Sequence, residues 1–195
     1  SNKKRILSLS FIMTISTLEK ENTGLLIIDV QEKLMQVMGQ RQRITDNIAK
    51  LVLLSKLFDF PIILTEQYPK WLGPTTPEVT ESLPAYQPIS KLHFNCCDVD
   101  AFNLRLDSEG LSNVIITGIE SHICVFQTCV SILEKGYRVH VPQDAVDSRT
   151  DENWRVGLDL MKQAGGVITS TETVIYQVLN KAGTKEFKQM LKVMK

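Results

Sequence analysis

Apolar residues come along this chain in two rhythms. Short unbroken runs, Leu25-Leu26-Ile27-Ile28, Pro61-Ile62-Ile63-Leu64 and Val114-Ile115-Ile116-Thr117, end at polar or glycine positions such as Asp29 and Gly118. Runs of that length predict strands buried on both faces. Between them lie longer stretches with helical spacing. From Ile44 to Phe58 the apolar residues Ile44, Ile48, Leu51 and Val52 recur on one face, which predicts an amphipathic helix. His122 to Glu134 predicts another, closed by Lys135-Gly136, because glycine readily takes up the turn that ends a helix. Tyr137 to Val141 alternates as a strand does, Asp151 to Ala164 predicts a helix stopped by Gly165-Gly166, and Val167-Ile168 predicts a short last strand. Thr171 to Leu179 and Lys185 to Val193 predict terminal helices.

Strands that alternate with helices predict an α/β fold: three layers, α-β-α, around a doubly wound, mainly parallel sheet of about six strands, Rossmann-like in arrangement. In such sheets ligands bind beyond the carboxyl ends of the strands. The residues just after each apolar run are therefore the ones to inspect for chemistry. One long irregular stretch, Gln67 to Pro88, carries Pro69, Pro74, Pro77, Pro84 and Pro88. An excursion of that length within a compact domain predicts a substrate-side loop. Residues 17–195 read as a single domain. Residues 1–16 read as an upstream extension, flexible or non-native, with Ser1-Asn2 as a cloning remnant and Met13 as a candidate natural start. The apolar run Ile6 to Ile15 is too short to span a membrane.

The 22 acidic and 22 basic residues cancel, so the chain offers no net field to attract nucleic acid or an acidic membrane. Four cysteines, Cys96, Cys97, Cys124 and Cys129, show no C-x-x-C spacing. That predicts free thiols in a reducing compartment and a cytoplasmic location, with an organellar one left open. His93, His122 and His140 lack paired ligand spacing, so no metal site and no cofactor are expected.

Three polar residues stand where chemistry could occur. Cys124 falls just past a strand, within the first turn of the predicted helix, where backbone N–H groups favour a thiolate. The alternative is a buried cysteine packing as a small hydrophobe, which suits Cys129. Asp29 must leave the core at a sheet tip, either as a helix cap or as a catalytic acid. Lys91, in the alternating segment Ile89-Ser90-Lys91-Leu92-His93-Phe94, reads by itself as a solvent-facing lysine. Gln67, Tyr68, Trp71, His93 and Phe94 are either pocket-lining residues for a small planar or apolar substrate or ordinary packing.

Three segments in one order change this balance. Leu25-Leu26-Ile27-Ile28-Asp29-Val30-Gln31 resembles the first motif of the isochorismatase-like cysteine hydrolases, Ser90-Lys91 their lysine segment, and Thr117-Gly118-Ile119-Glu120-Ser121-His122-Ile123-Cys124-Val125 their nucleophile motif. Tyr137 to Val141 with Asp144-Ala145 resembles the strand and loop that follow, and Thr65 to Lys70 resembles the isochorismatase-domain-containing branch. The resemblance spans roughly Thr23 to Leu179. It implies a Cys-Asp-Lys triad of Cys124, Asp29 and Lys91 that cleaves a small-molecule amide-type bond through a thioester. It further implies a cis peptide between Ile119 and Glu120, with an oxyanion hole from the N–H groups of Glu120 and Cys124. Nicotinamidases carry an Asp-x-His metal motif where this chain has Glu66-Gln67-Tyr68, so metal and nicotinamide are not expected. True isochorismate cleavers lack the cysteine. A fold-retaining binding protein without turnover is the competing reading. Relatives imply a homo-oligomer, for which Val174, Ile175, Val178, Leu179, Phe187, Met190, Leu191 and Met194 offer apolar surface unless they pack on their own sheet.

Overall fold

The computed structural model describes residues 15–194. The extension expected over residues 1–16 falls, through residue 14, outside the described residues. Strands β1 (Thr23–Ile28) and β4 (Asn113–Ile119) lie side by side and are buried at every position. Outward from β1 come β2 (Ile62–Gln67) and β3 (Ile89–Lys91). Outward from β4 come β5 (Arg138–Pro142) and β7 (Val167–Thr169), while the two-residue β6 (Val146–Asp147) pairs with the end of β4. The order is β3-β2-β1-β4-β5-β7 and every pairing is parallel, giving seven strands among the described residues.

Two-residue periodicity explains the layers. In β1, Leu25 and Ile27 join one apolar cluster and Leu26 and Ile28 join the other, because successive side chains leave a strand on opposite faces. The first cluster packs beneath α2 (Arg41–Phe58), α8 (Thr171–Leu179) and α9 (Lys185–Met190). The second packs beneath α5 (Asp100–Ser108), α6 (Phe126–Glu134) and α7 (Asp151–Gln163). Each fully buried Leu or Ile is worth about 1.5–3 kcal/mol, so the central strands are held from both sides. On the terminal helices Val174, Ile175, Val178, Leu179 and Met190 belong to the first cluster. They are spent on the chain's own sheet rather than presented to a second copy.

The strand order reverses between β1 and β4, and the carboxyl ends of strands at such a switch point are where ligands bind in open parallel sheets. At that end Gly118 pairs with Ile28. A Cβ on Gly118 would sit 2.0 Å from the Ile28 carbonyl oxygen, and its φ is +113°, so only glycine lets the two tips approach. Three short helices decorate the tips: α1 (Glu32–Met35), α3 (Pro69–Leu72) and α4 (Pro77–Thr80). The last two lie within the proline-rich excursion. Among the described residues no helix is long and apolar enough to cross a membrane.

His140 sits in β5 with both ring nitrogens buried and, among the described residues, without a hydrogen-bond partner. Burial, helped by Arg138, lowers its pKa to about 4. A folded-state pKa below the unfolded one means stability that is intact above the unfolded value and is lost as pH falls. We expect acidification from neutral toward the folded pKa to cost about 3 kcal/mol through this residue. Urea unfolding of the wild type and His140→Phe across that window should show the extra acid sensitivity in the wild type alone.

Candidate active site

Asp29 follows β1 directly and takes a left-handed conformation (φ +54°). Its N–H donates to the Thr65 carbonyl (3.1 Å), so the backbone turns out of the strand while still tied to β2. Its buried carboxylate accepts from two neighbours. Thr65 Oγ1 donates to Oδ1 at 2.8 Å, and Lys91 Nζ donates to Oδ2 at 2.6 Å. Lys91 reaches it from β3, two strands away, and its side chain is also buried. The solvent-facing alternative for this lysine does not hold, because the chain beyond β3 folds over the ammonium. The carbonyls of His93 and Phe94 lie at 3.3 and 3.2 Å from Nζ, and Gln67 Oε1 lies at 2.6 Å.

Cys124 lies in the turn after β4. Ser121–Val125 is a wide turn, in which Val125 N–H reaches back five residues to the Glu120 carbonyl (3.2 Å). The predicted helix from His122 therefore begins regular α geometry only at Phe126. The Ile119–Glu120 peptide is cis. Ser121 and Ser148 share a hydrogen bond of 2.6 Å, and His122 Nδ1 lies 2.9 Å from Ser148 Oγ, pinning the turn to the loop after β6. From the other side α7 presses on it. A Cβ on Gly157 would lie 2.5 Å from the Ser121 carbonyl carbon and 2.7 Å from the His122 nitrogen. Glycine inside a helix costs about 1 kcal/mol. That cost was the sequence's one signal for this contact.

The Cys124 thiol faces the Asp29 carboxylate closely enough for each to shift the other's ionisation. Burial first, then the Asp29 charge, push the thiol well above its ordinary range, and Lys91 opposes them. This corrects the expectation of a thiolate stabilised by a helix start, because desolvation outweighs the backbone N–H groups. Burial also raises Asp29, against the pull of Lys91, Thr65 and Cys124. For Lys91 burial acts downward, yet the negative forms of Asp29, Cys96 and Cys124 hold it above its usual value. The site thus joins the buried Asp29–Lys91 ion pair to a thiol whose ionisation burial disfavours.

The other sequence-derived candidates separate. Gln67 is buried and turned onto Lys91. Tyr68 is 48% exposed and holds a left-handed backbone (φ +36°), a conformation costly for a bulky side chain. Tyr68 borders a cavity of about 340 Å³ that is also lined by Pro69, Lys70, Ser90, Lys91 and Leu92. Trp71, His93, Phe94 and Cys124 do not line it. Trp71 is 67% exposed, under the Lys33 ammonium at 5.3 Å. His93 and Phe94 meet the site through their carbonyls. Sequence reading missed Thr65, Gln31 and Gly157. Gln31 accepts from Gln67 N–H (2.7 Å) and donates to the carbonyls of Gln67 (2.9 Å) and Gly73 (2.7 Å). With Glu66, which accepts from Thr75 N–H and Oγ1 at 2.7 Å, it fastens the proline-rich excursion to the sheet tips. Among the described residues no group of three His, Cys, Asp or Glu side chains could hold a metal ion.

The Isochorismatase domain model matches residues 23–173. A secreted isochorismatase effector, Isc1, of Phytophthora sojae is 36% identical over 176 residues, covering 88% of this chain and 83% of its own. Isochorismatase domain-containing protein 2A of Mus musculus is 35% identical over 176 residues, covering 90% and 84%. The solved structure of the MAR1 ribonuclease from Caenorhabditis elegans superposes with a TM-score of 0.85 at 33% identity, covering 92% of both chains.

Adding one methyl group at Gly157 tests how the thiol is placed. We expect Gly157→Ala to destabilise the fold by about 1–3 kcal/mol and to slow alkylation of Cys124 relative to Cys97. Urea midpoints and peptide mapping after iodoacetamide treatment read the two effects separately.

Proposed function

As the chain belongs to the isochorismatase family, whose members support a hydrolase-type function, we propose that it is a cysteine hydrolase cleaving a small-molecule amide-type C–N bond through a thioester on Cys124. One observation carries this reading. Asp29, Lys91 and Cys124 come from three different strand ends, and the Cys124 thiol stands beside the Asp29 carboxylate that Lys91 Nζ holds at 2.6 Å. In the first step the Cys124 proton passes to Asp29 as sulfur attacks the carbonyl carbon. Negative charge then develops on the carbonyl oxygen, and the N–H groups of Glu120 and Cys124 receive it. The flanking N–H groups of Ile123 and Val125 donate to the Glu120 carbonyl, and that of Cys124 is not among its donors. One such donor is typically worth about 3 kcal/mol in the transition state. Collapse expels the amine, which leaves with the proton held by Asp29. Asp29, now a carboxylate again, takes a proton from water as it attacks the thioester and returns it to the sulfur as the acid departs.

Lys91 stays charged throughout. Its three N–H bonds face four oxygen acceptors, so it offers the substrate a field rather than a hydrogen bond. The competing reading, a binding protein without turnover, keeps the pocket and loses the chemistry. The ribonuclease name of the C. elegans relative favours a second activity, cleavage of RNA. The balanced charge of this chain lends that activity no electrostatic support.

A panel of small amides, ureides and carbamates, with RNA included, tests all of these together. We expect turnover of one small-molecule class, an acyl adduct on Cys124 by mass spectrometry, and none of either in Cys124→Ala. Asp29→Asn should lose about 10²–10⁴-fold in rate. The wild-type rate should rise with pH through the Asp29 titration, above the usual carboxylate range. Turnover undiminished in Cys124→Ala would sink the thioester mechanism.

A further inference from the structure

The Lys91 ammonium is held from two directions. One is Asp29. The other is the side-chain amide of Gln67, whose Oε1 lies 2.6 Å from Nζ, the same distance as the Asp29 oxygen. The amide has no freedom to turn away. Its Nε2 donates to the Leu92 carbonyl at 2.7 Å, and this fixes the oxygen toward Lys91. The Gln67 backbone is fixed in turn. The Gln31 side chain brackets it with two bonds, one from Gln67 N–H at 2.7 Å and one to Gln67 O at 2.9 Å. Gln31 is fully buried and sits two residues beyond Asp29. A chain of amides thus runs from the backbone beside Asp29, through Gln31 and Gln67, and returns to Asp29 by way of Lys91.

A lysine ammonium is a point charge on a flexible four-carbon stem. Asp29 alone would leave it free to pivot about one contact. The His93 and Phe94 carbonyls lie at 3.3 and 3.2 Å, beyond the short range of the other two. The strongly placed neutral partner is therefore Gln67. We propose that Gln67 is a positioning residue, with Gln31 as its brace, that locks the Lys91 ammonium onto Asp29 and so keeps that carboxylate available to the Cys124 proton. This rests on the thiol–carboxylate reading given above and adds to it a residue that touches neither the sulfur nor the reacting atoms. A glutamine is the residue type the place requires. A carboxylate there would compete with Asp29 for one cation, and an apolar side chain would leave the ammonium only the two longer carbonyl contacts besides Asp29.

The test uses the Cys124 thiol itself, so it needs no known substrate. Iodoacetamide alkylation of Cys124, followed by peptide mapping across the pH range in which the fold is intact, reports its acid limb. At low pH Asp29 and Cys124 hold two protons between them, and the thiol has no acceptor for its own. The groups that set this limb are Asp29 at the end of β1, Lys91 on β3, and Cys96 and Cys124, which interact with Lys91 across the site. In Gln67→Glu we expect the limb to move up by about one pH unit, an alkylation rate about tenfold lower at a pH on the limb. In Gln67→Met we expect a smaller move in the same direction. A purely structural role would lower the urea midpoint and leave the limb where it is, and that result in both variants would overturn the proposal. Should neither variant fold, the wild type still decides. A slowly exchanging Lys91 ammonium resonance with a nuclear Overhauser contact to the Gln67 side chain supports the assignment, and the lack of that contact refutes it. Because alkylation is read rather than turnover, a mistaken reaction class leaves this test intact, and a failure here leaves the thioester reading standing.

Discussion

Burying the Lys91 ammonium against the Asp29 carboxylate at the sheet tips is the constraint around which the rest of this structure is arranged. Two charges withdrawn from water cost several kcal/mol each unless close geometry and further hydrogen bonds repay them. The repayment here is spread over the fold. Thr65 comes from β2, Gln67 from the end of the same strand, and the His93 and Phe94 carbonyls from the turn beyond β3. Each contact exists only if the parallel order β3-β2-β1 is in place, because that order sets Gln67 level with Lys91 and brings Asp29, just past the Ile28–Thr65 pair, beside them. The pair stabilises little on its own account. It does make any register error in these three strands expensive, since a slipped strand would leave a buried charge alone.

The same enclosure decides the state of the sulfur. Placement at the start of a helix favours a thiolate, and burial disfavours it. Burial is the larger effect for all four cysteines, with Cys96 and Cys129 pushed up to about 12 and Cys97 to about 11. The four thiols differ in their company. Cys129 has burial alone acting on it, whereas Cys96 and Cys124 both feel the charges of Asp29 and Lys91.

The strands were legible for a simple reason. A central parallel strand is covered on both faces, so its residues are apolar without interruption, and β1 and β4 announce themselves in that way. Asp29 and Cys124 could be located because they terminate or follow such runs. Lys91 could not, since its burial depends on the turn after β3 folding over the ammonium, and nothing in Ser90-Lys91-Leu92 encodes that turn. The resemblance to the isochorismatase-like hydrolases singled it out. Gln67 was legible as a residue near the site but not in its orientation, which is set by the Leu92 carbonyl and by Gln31. The aromatic candidates divided: Tyr68 borders the cavity beside Lys91, whereas Trp71 and Phe94 stand 67% and 54% exposed, and the second of them reaches Lys91 through its backbone. The direction of the thiol's shift was misjudged for the same reason: desolvation is a property of the assembled tertiary structure and leaves no local pattern.

Two glycines show how the placement of the sulfur is made rigid. Gly118 lets the end of β4 touch the backbone of Ile28, one residue before Asp29. Gly157 lets α7 touch the backbone at Ser121 and His122, just before Cys124. In both places main chain rests on main chain, with no side chain between to change rotamer. The separation of thiol and carboxylate is then fixed by contacts that cannot relax without moving a strand or a helix. Side-chain packing would permit small adjustments at either position, and proton transfer between sulfur and oxygen is sensitive to displacements of that size. A helix-interior glycine and a glycine at a strand tip, each unfavourable or unremarkable by local propensity, are what a site demanding fixed distances requires of the surrounding fold.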